Sequence, residues 1–310
     1  MKALAIDLGG THARCAMVED QAILRAKTLE ADGTGTLAGL LPRVADAFRE
    51  LLREAGWQPN DFAGLAFSSC GLVDSSAGRF LSAKEKWTDA EQADVPAWCR
   101  REFSLPMKLE NDARMALLGE WYAGSGRGFD SIVMMTLGTG IGGAAMIEGK
   151  LLRGKHFQAG NLGGHQTVQL GGRKCMCGNI GCAEAEAAGW SLPLVAREWP
   201  GFAESALARE PRVDFEALFR LAQAGDSVAG EIRDRCLHVW AAAAVGLVHA
   251  FDPEVVIVGG GIMKSSGAIL PFLRDYVRSH TWTPWGRVEV RAAALGNDAA
   301  LLGAIPLLSA

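Results

Sequence analysis

Apolar and polar positions along this chain fall into two alternating kinds of block. Two stretches, "LAIDLGGTHARCAMV" (residues 4–18) and "VMMTLGTGIGGAAMI" (133–147), each set a glycine turn with a threonine between two apolar runs of strand length. "GLAFSS", "MKLEND", "EVVIVGG" and "RVEVRAA" are further strand-like runs. Between them, residues 36–55, 113–123, 226–250 and 266–278 follow the helical spacing of apolar positions. This alternation predicts an α/β architecture. The echo between 4–18 and 133–147 predicts two related lobes, each opening on a glycine-turn hairpin.

At 310 residues the chain exceeds what one hydrophobic core usually supports, so two domains are expected. Gly124, Gly126 and Gly128 in "YAGSGRGFD" end one helix just before the second hairpin, and a lobe boundary is expected nearby. We divide the chain into a small N-terminal α/β lobe over 1–112, with the C-terminal helix 298–310 packing back on it, and a large α/β lobe over 113–297. A cleft between lobes is where a ligand is expected.

A net charge of -4 provides no basic field, so nucleic acid is not an expected partner and small molecules are. The first apolar run, broken by Asp7, is too short for a signal peptide or a membrane span. "VWAAAAVGLVHAFDP" carries His249 in a helical pattern and reads as a core helix. These features predict a soluble, cytoplasmic protein with no membrane partner. Thiols stay reduced in that compartment, where clustered cysteines are more often metal ligands than disulfides.

Glycine turns after strands expose backbone N–H groups that can cradle phosphate oxygens. The chain has three: Gly9 and Gly10 with Thr11, Gly138 to Gly143 with Thr139, and Gly259 to Gly261 after "VVIV". Any one alone is better explained by a plain hairpin, but three together, two with a threonine hydroxyl, point to a nucleotide. None matches a P-loop or the strand-to-helix setting of a dinucleotide site. Asp7, at the end of the first strand, either hydrogen-bonds its own turn or holds Mg²⁺ against phosphates. Asp112, where "MKLE" gives way to an amphipathic helix, is either that helix's N-cap or a general base for an attacking hydroxyl. Asn111 beside it can donate and accept, which suits a sugar.

Three of the seven cysteines fall within "CMCGNIGC". With His165 they give the spacing H-x9-C-x-C-x4-C, and His165, Cys175, Cys177 and Cys182 make the ligand set of a closed, structural Zn²⁺ site. Gly178 and Gly181 let the thiolates converge. Cys15, Cys70, Cys99 and Cys236 are scattered among apolar neighbours and read as ordinary core cysteines. Glu184 and Glu186 follow in alternation with alanines, so one of them faces inward if that segment is extended.

Taken in order, these motifs resemble the ROK family, named for repressors, open reading frames and sugar kinases, over nearly the whole chain. "DLGGTHAR" and "TLGTGIGG" look like its phosphate motifs, "ENDARMALLGE" its catalytic motif, and "GGH" followed by "CMCGNIGCAE" its zinc motif. "VVIVGGGI" and "ALGNDAALLGA" match its nucleotide-side glycines and terminal helix. The resemblance implies an actin-like, ribonuclease-H-like ATPase fold whose two lobes close around Mg-ATP and a hexose, and a homodimer. It implies that Asp112 is the base for the sugar 6-hydroxyl and that Asn111, His165 and Glu184 contact sugar hydroxyls. It also implies that Asp7, Gly9, Gly10, Thr11, Gly138, Thr139, Gly140, Gly260 and Gly261 position metal and phosphates. His165 would serve twice, one ring nitrogen on zinc and the other on the sugar.

Two positions depart from the family pattern. Members often have A-G-E where this chain has "AGNLGGH", placing Asn161 at a sugar-facing position, and the asparagine loop ahead of a tryptophan is replaced by "SAKEKWTDA", with Lys84 and Lys86 near Trp87. The identity of the hexose is therefore open, and the leading expectation is an ATP-dependent hexose kinase. The alternatives are a sugar-sensing regulator of the same family, a non-catalytic sugar-binding protein, and an actin-like filament protein. Regulators carry a winged helix ahead of the first phosphate motif, which here starts at residue 7; a filament protein gives no reason for the zinc loop.

Overall fold

A computed structural model describes residues 1–31, 35–83 and 87–310. Lys84 and Lys86 lie outside the described residues. The chain folds into two compact units, one comprising Met1–Gly128, Arg153–Ala159 and Ala294–Ala310, the other Phe129–Leu152 and Gly160–Ala293.

The first unit is built on β1 (Lys2–Leu8), β2 (His12–Glu19), β3 (Ala22–Glu30), β4 (Leu65–Ser69) and β7 (Met107–Asn111), with a separate hairpin of β5 (Leu72–Asp74) and β6 (Arg79–Ser82). Sheet order is β3-β2-β1-β4-β7, with β1, β4 and β7 parallel. β1 is buried along almost its whole length because it is the central strand. Helices α1 (Leu37–Ala55), α2 (Val95–Phe103) and α3 (Asp112–Ala123) belong to this unit, as do the closing helices α9 (Ala299–Leu302) and α10 (Ala304–Ser309). Glycine permits the close α3–α9 crossing: a Cβ on Gly119 would stand 1.9 Å from the Ala299 carbonyl oxygen, and one on Gly303 2.3 Å from that of Met115. Helix α3 and the turn after it therefore cluster with residues 1–112, and this unit runs on to Gly128 where the sequence-based division stops at 112.

The second unit repeats the plan. Its strands β8 (Ile132–Leu137), β9 (Ile141–Ile147), β10 (Lys150–Leu151), β11 (Val255–Gly259) and β12 (Glu289–Ala292) are ordered β10-β9-β8-β11-β12, with β8, β11 and β12 parallel. Helices α4 (Ala183–Ala187), α5 (Leu192–Arg197), α6 (Phe215–Gln223), α7 (Ser227–Phe251) and α8 (Ser266–His280) complete it. Trp240 of α7 is fully buried and packs on Phe215 and Phe219 of α6. Among the described residues no helix is long and apolar enough to cross a membrane. The echo between 4–18 and 133–147 is thus the β1–β2 hairpin and its counterpart β8–β9, each at the same place in a sheet of the same order.

Candidate active site

Parallel strands present ligand-binding residues at their carboxyl ends: Asp7 and Asn111 lie at such ends in the first unit, and Gly138 and Gly260 directly follow β8 and β11 in the second. Asp7 is paired in register with Ser68 of β4 and Arg14 of β2. The Ser68 hydroxyl donates to Asp7 Oδ1 at 2.9 Å. Burial pushes the Asp7 carboxyl above its ordinary value, against the Ser68 hydrogen bond and the Arg14 charge, which pull it down. A carboxylate in that setting is suited to a cation. Gly9 N–H donates to the His12 carbonyl at 2.9 Å and closes the first turn, leaving Gly10 and Thr11 exposed.

Asn111, the last residue of β7, is the N-cap of α3: its Oδ1 accepts from Ala113 N–H at 3.0 Å and Arg114 N–H at 3.3 Å. Its Nδ2 donates to the Gly71 carbonyl and to Asp112 Oδ1, at 3.0 and 2.9 Å. The amide thus makes four hydrogen bonds within the protein, capping the helix and bonding Asp112. The capping role that the sequence allowed for Asp112 belongs to its neighbour. Asp112, half-buried in the first helical turn, takes Ala113 N–H at 2.8 Å on the same Oδ1.

Behind this junction lies an ion cluster that the sequence did not reveal. Glu110 is wholly buried and accepts from Asn111 N–H at 3.0 Å, Arg114 at 3.4 Å and Arg153 at 2.7 Å. The Arg114 guanidinium also donates to the carbonyls of Phe157 and Ala159, fastening segment 153–159 to the α3 start. From sequence alone Glu110 and Arg114 look like an ordinary i,i+4 surface pair.

In the second unit, Gly138 N–H donates to the Gly140 carbonyl at 3.0 Å, with Thr139 exposed at the tip of the turn. A Cβ at Gly260, whose φ is +94°, would lie 2.2 Å from the Leu137 carbonyl oxygen, so only glycine lets β11 end beside this turn. Gly260 and Gly261 are exposed.

His165, Cys175, Cys177 and Cys182 offer ligand atoms that all lie within 4.8 Å of one another. Cys177 and Cys182 sulfurs are 3.7 Å apart, and His165 Nδ1 is 3.5 Å from the Cys175 sulfur. A tetrahedral zinc with Zn–S of about 2.3 Å and Zn–N of about 2.0–2.1 Å sets those edges at about 3.8 and 3.5 Å, so the residues fit the ion. Burial first, then the hydrogen bond with Cys177, pushes the Cys182 thiol up to about 12, which a bound cation would reverse. The loop turns at Gly178 and Gly181; a Cβ on Gly181 would meet the Gln169 carbonyl oxygen at 1.7 Å. Asn179, absent from the sequence reading, donates to the Cys182 sulfur at 3.2 Å and the His165 carbonyl at 3.3 Å, supporting the ligands from outside.

The alternation of Glu184 and Glu186 suggested that one carboxylate faces inward, but both are buried: the segment forms the short helix α4, and all five of its residues are enclosed, so carboxylates on opposite faces are both inside. Glu186 accepts from Arg173 N–H at 2.6 Å and pairs with Arg235, tying the cysteine loop to α7. Glu184 accepts from Ile141 N–H at 2.9 Å. Asn161 is partly buried and directly follows Gly160, whose φ is +72°.

A sequence profile of the ROK family matches residues 3–310. Glucokinase of Thermotoga maritima is 34% identical, over 99% of this chain and 97% of its own. N-acetylmannosamine kinase of Yersinia pseudotuberculosis is 32% identical over 98% and 97%. A ROK family glucokinase from Streptomyces griseus, solved in complex with glucose and AMPPNP, superposes with a TM-score of 0.79 at 28% identity, covering 99% of each chain.

Proposed function

The chain belongs to the ROK family, with its actin-like ATPase fold, and is a sugar kinase; on that premise we propose that it transfers the γ-phosphoryl group of Mg-ATP to O6 of a hexose, with Asp112 as general base. The observation that carries the assignment is the division of labour at the start of α3. Asn111 caps the helix and bonds Asp112, whose carboxylate lies at the carboxyl end of the parallel strand β7, and in this reading it accepts the hydroxyl proton. Proton transfer from the sugar hydroxyl to Asp112 frees an oxygen lone pair to attack phosphorus as the bond to the ADP oxygen breaks. Phosphoryl transfer asks little covalent chemistry of the protein beyond alignment and charge neutralisation.

Asp7 would hold Mg²⁺, which supplies charge neutralisation at the phosphates. Gly9, Gly10, Thr11, Gly138, Thr139, Gly140, Gly260 and Gly261 offer backbone N–H and hydroxyl groups to the phosphates. His165, Cys175, Cys177 and Cys182 would hold a structural zinc; its Nδ1 faces the sulfurs, which leaves His165 Nε2 for a sugar hydroxyl. Asn161 and Glu184 complete the sugar contacts in this reading. Thiolate ligation of zinc and four further free cysteines suit a reducing compartment such as the cytoplasm.

The relatives include kinases of both a plain and an N-acetylated hexose. An ionised glutamate only accepts hydrogen bonds, whereas Asn161 both donates and accepts without charge, which tolerates an acceptor such as an acetamido carbonyl. The test is ADP release with Mg-ATP across glucose, mannose, fructose, allose and the N-acetylated hexosamines. Turnover with at least one hexose is expected, and Asn161→Glu is expected to shift kcat/KM ratios between hexoses by about 1–3 kcal/mol. No hexose-dependent ADP release would refute the kinase assignment; unchanged ratios in the variant would remove Asn161 from the sugar site.

A further inference from the structure

We propose that Glu184 is a positioning residue for the phosphoryl donor: the carboxylate assigned to the sugar also braces the phosphate turn, so that sugar and nucleotide binding are energetically coupled through one side chain. The inference rests on the reading that Gly138 to Gly140 receive nucleotide phosphates and that Glu184 meets the sugar.

The turn between β8 and β9 is held from one side by the segment that begins at the last cysteine of the metal loop. Ile141 N–H donates to Glu184 Oε2 at 2.9 Å. Gly189 N–H donates to the Gly138 carbonyl at 2.9 Å, and Trp190 N–H to that of Thr139 at 3.0 Å. The turn peptides are therefore anchored by residues 184–190, while Thr139 stays exposed at the tip. A Cβ on Gly140 would lie 2.6 Å from Glu184 Oε2, so a side chain there would have to displace the carboxylate.

Glu184 is itself rigidly set. Helix α4 starts immediately after Cys182, and the Ser191 hydroxyl donates to the Glu184 carbonyl at 3.0 Å while accepting from Ala188 N–H at 3.0 Å. The Trp190 indole N–H lies 3.4 Å from Glu184 Oε1. An ionised carboxylate has about four acceptor positions. Ile141 and Trp190 occupy two of them, which leaves capacity for a sugar hydroxyl. A hydroxyl bonded to this carboxylate restrains it further, and with it the Ile141 peptide. The sugar thus lowers the ordering cost of the turn that takes the phosphates, and by linkage the nucleotide does the same for the sugar.

The experiment measures binding of Mg·AMP-PNP by calorimetry, with and without the best hexose from the substrate panel, in wild type, Glu184→Gln and Glu184→Met. The two variants are close in volume, but only glutamine retains an oxygen that can accept from Ile141 N–H. In wild type, saturating hexose is expected to tighten AMP-PNP binding about fivefold. Without sugar, Glu184→Met is expected to weaken AMP-PNP binding about tenfold and to abolish the coupling, while Glu184→Gln stays within about threefold of wild type. A sugar-free dissociation constant for Glu184→Met within twofold of wild type would overturn the proposal and leave Glu184 a sugar ligand alone. Should that variant fail to melt cooperatively, hydrogen exchange in wild type decides. Hexose alone is expected to slow exchange of the 137–142 amides, and unchanged exchange overturns the coupling. Failure of the kinase reading shows separately, as wild-type protein that binds no AMP-PNP or releases no ADP with any hexose.

Discussion

Replacing Asp112 by asparagine separates its chemical role from a structural one. The side chain's shape and its Oδ1 acceptor survive the change, so the bonds from Ala113 N–H and Asn111 Nδ2, at 2.8 and 2.9 Å, can persist. Helix α3 also keeps its cap, because that is Asn111. What is lost structurally is one negative charge in the first turn, about 0.3–1 kcal/mol of interaction with the helix dipole. What is lost chemically is the ability to take the hydroxyl proton, typically about 10²- to 10⁴-fold in rate, or about 2.7–5.4 kcal/mol of barrier at about 1.36 kcal/mol per decade. The expected result is a kcat lower by two to four decades, a melting curve close to wild type, and an AMP-PNP dissociation constant changed by less than about threefold. Asn111→Ala should show more damage to stability, about 1 kcal/mol for the lost cap. Urea titration, calorimetry and coupled ADP release on both variants give the full comparison. If Asp112→Asn lowers kcat less than tenfold while losing more than about 2 kcal/mol of stability, the residue is a structural element of the helix start and the mechanism fails.

Purified protein should contain about one zinc per chain. Cys177→Ser, at an exposed ligand with little packing to lose, should lower zinc content and raise the sugar KM; an intact KM in zinc-free protein would disprove the link between metal and substrate. Asp7 is pushed above its ordinary carboxylate value by burial, so its contribution to ligand-free stability is fully present below its unfolded value and is lost as pH rises through its folded value. Asp7→Asn should therefore melt no lower than wild type at pH 7 without ligand while turning over about 10²-fold more slowly; a clear loss of melting temperature would make Asp7 a structural partner of Ser68. Gly119→Ala places a Cβ against the Ala299 carbonyl and should cost at least about 1–3 kcal/mol in urea unfolding, and a change below about 0.5 kcal/mol would mean that the helix crossing can spread.

Which features could be read from the sequence follows from how local their causes are. The two hairpins were legible because an apolar run, a glycine turn and a second apolar run all lie within fifteen consecutive residues. The gathering of His165 with Cys175, Cys177 and Cys182 was legible because sulfur and imidazole at short spacing have few other uses. The choice between Asn111 and Asp112 as cap was not, since both side chains suit that position and only the backbone geometry at the end of β7 decides. Helix α4 was missed because five residues of alternating alanine and glutamate show no helical period, and its carboxylates bond to Ile141 and Arg173, both distant in sequence. Glu110 and Arg114 carry the spacing of a solvated pair; their burial depends on Arg153, distant in sequence, and on the carbonyls of Phe157 and Ala159.

The repeated sheet order also explains why the two hairpins differ in one residue that matters. Aligning Gly9 with Gly138 sets Asp7 against Thr136, two positions before the turn in each case. In the first unit the paired position on the neighbouring parallel strand is Ser68, whose hydroxyl satisfies Asp7. In the second it is Gly259, which has no side chain to offer. A carboxylate at 136 would therefore lack the hydroxyl that Ser68 gives Asp7 and would add negative charge beside a turn proposed to take phosphates. Both effects are unfavourable. The role proposed for Asp7 includes a cation that offsets its charge, whereas a carboxylate at 136 with no cation of its own would only repel phosphates at the second turn. The neutral, hydroxyl-bearing strand end at Thr136 is therefore the one compatible with the phosphate turn proposed beside it.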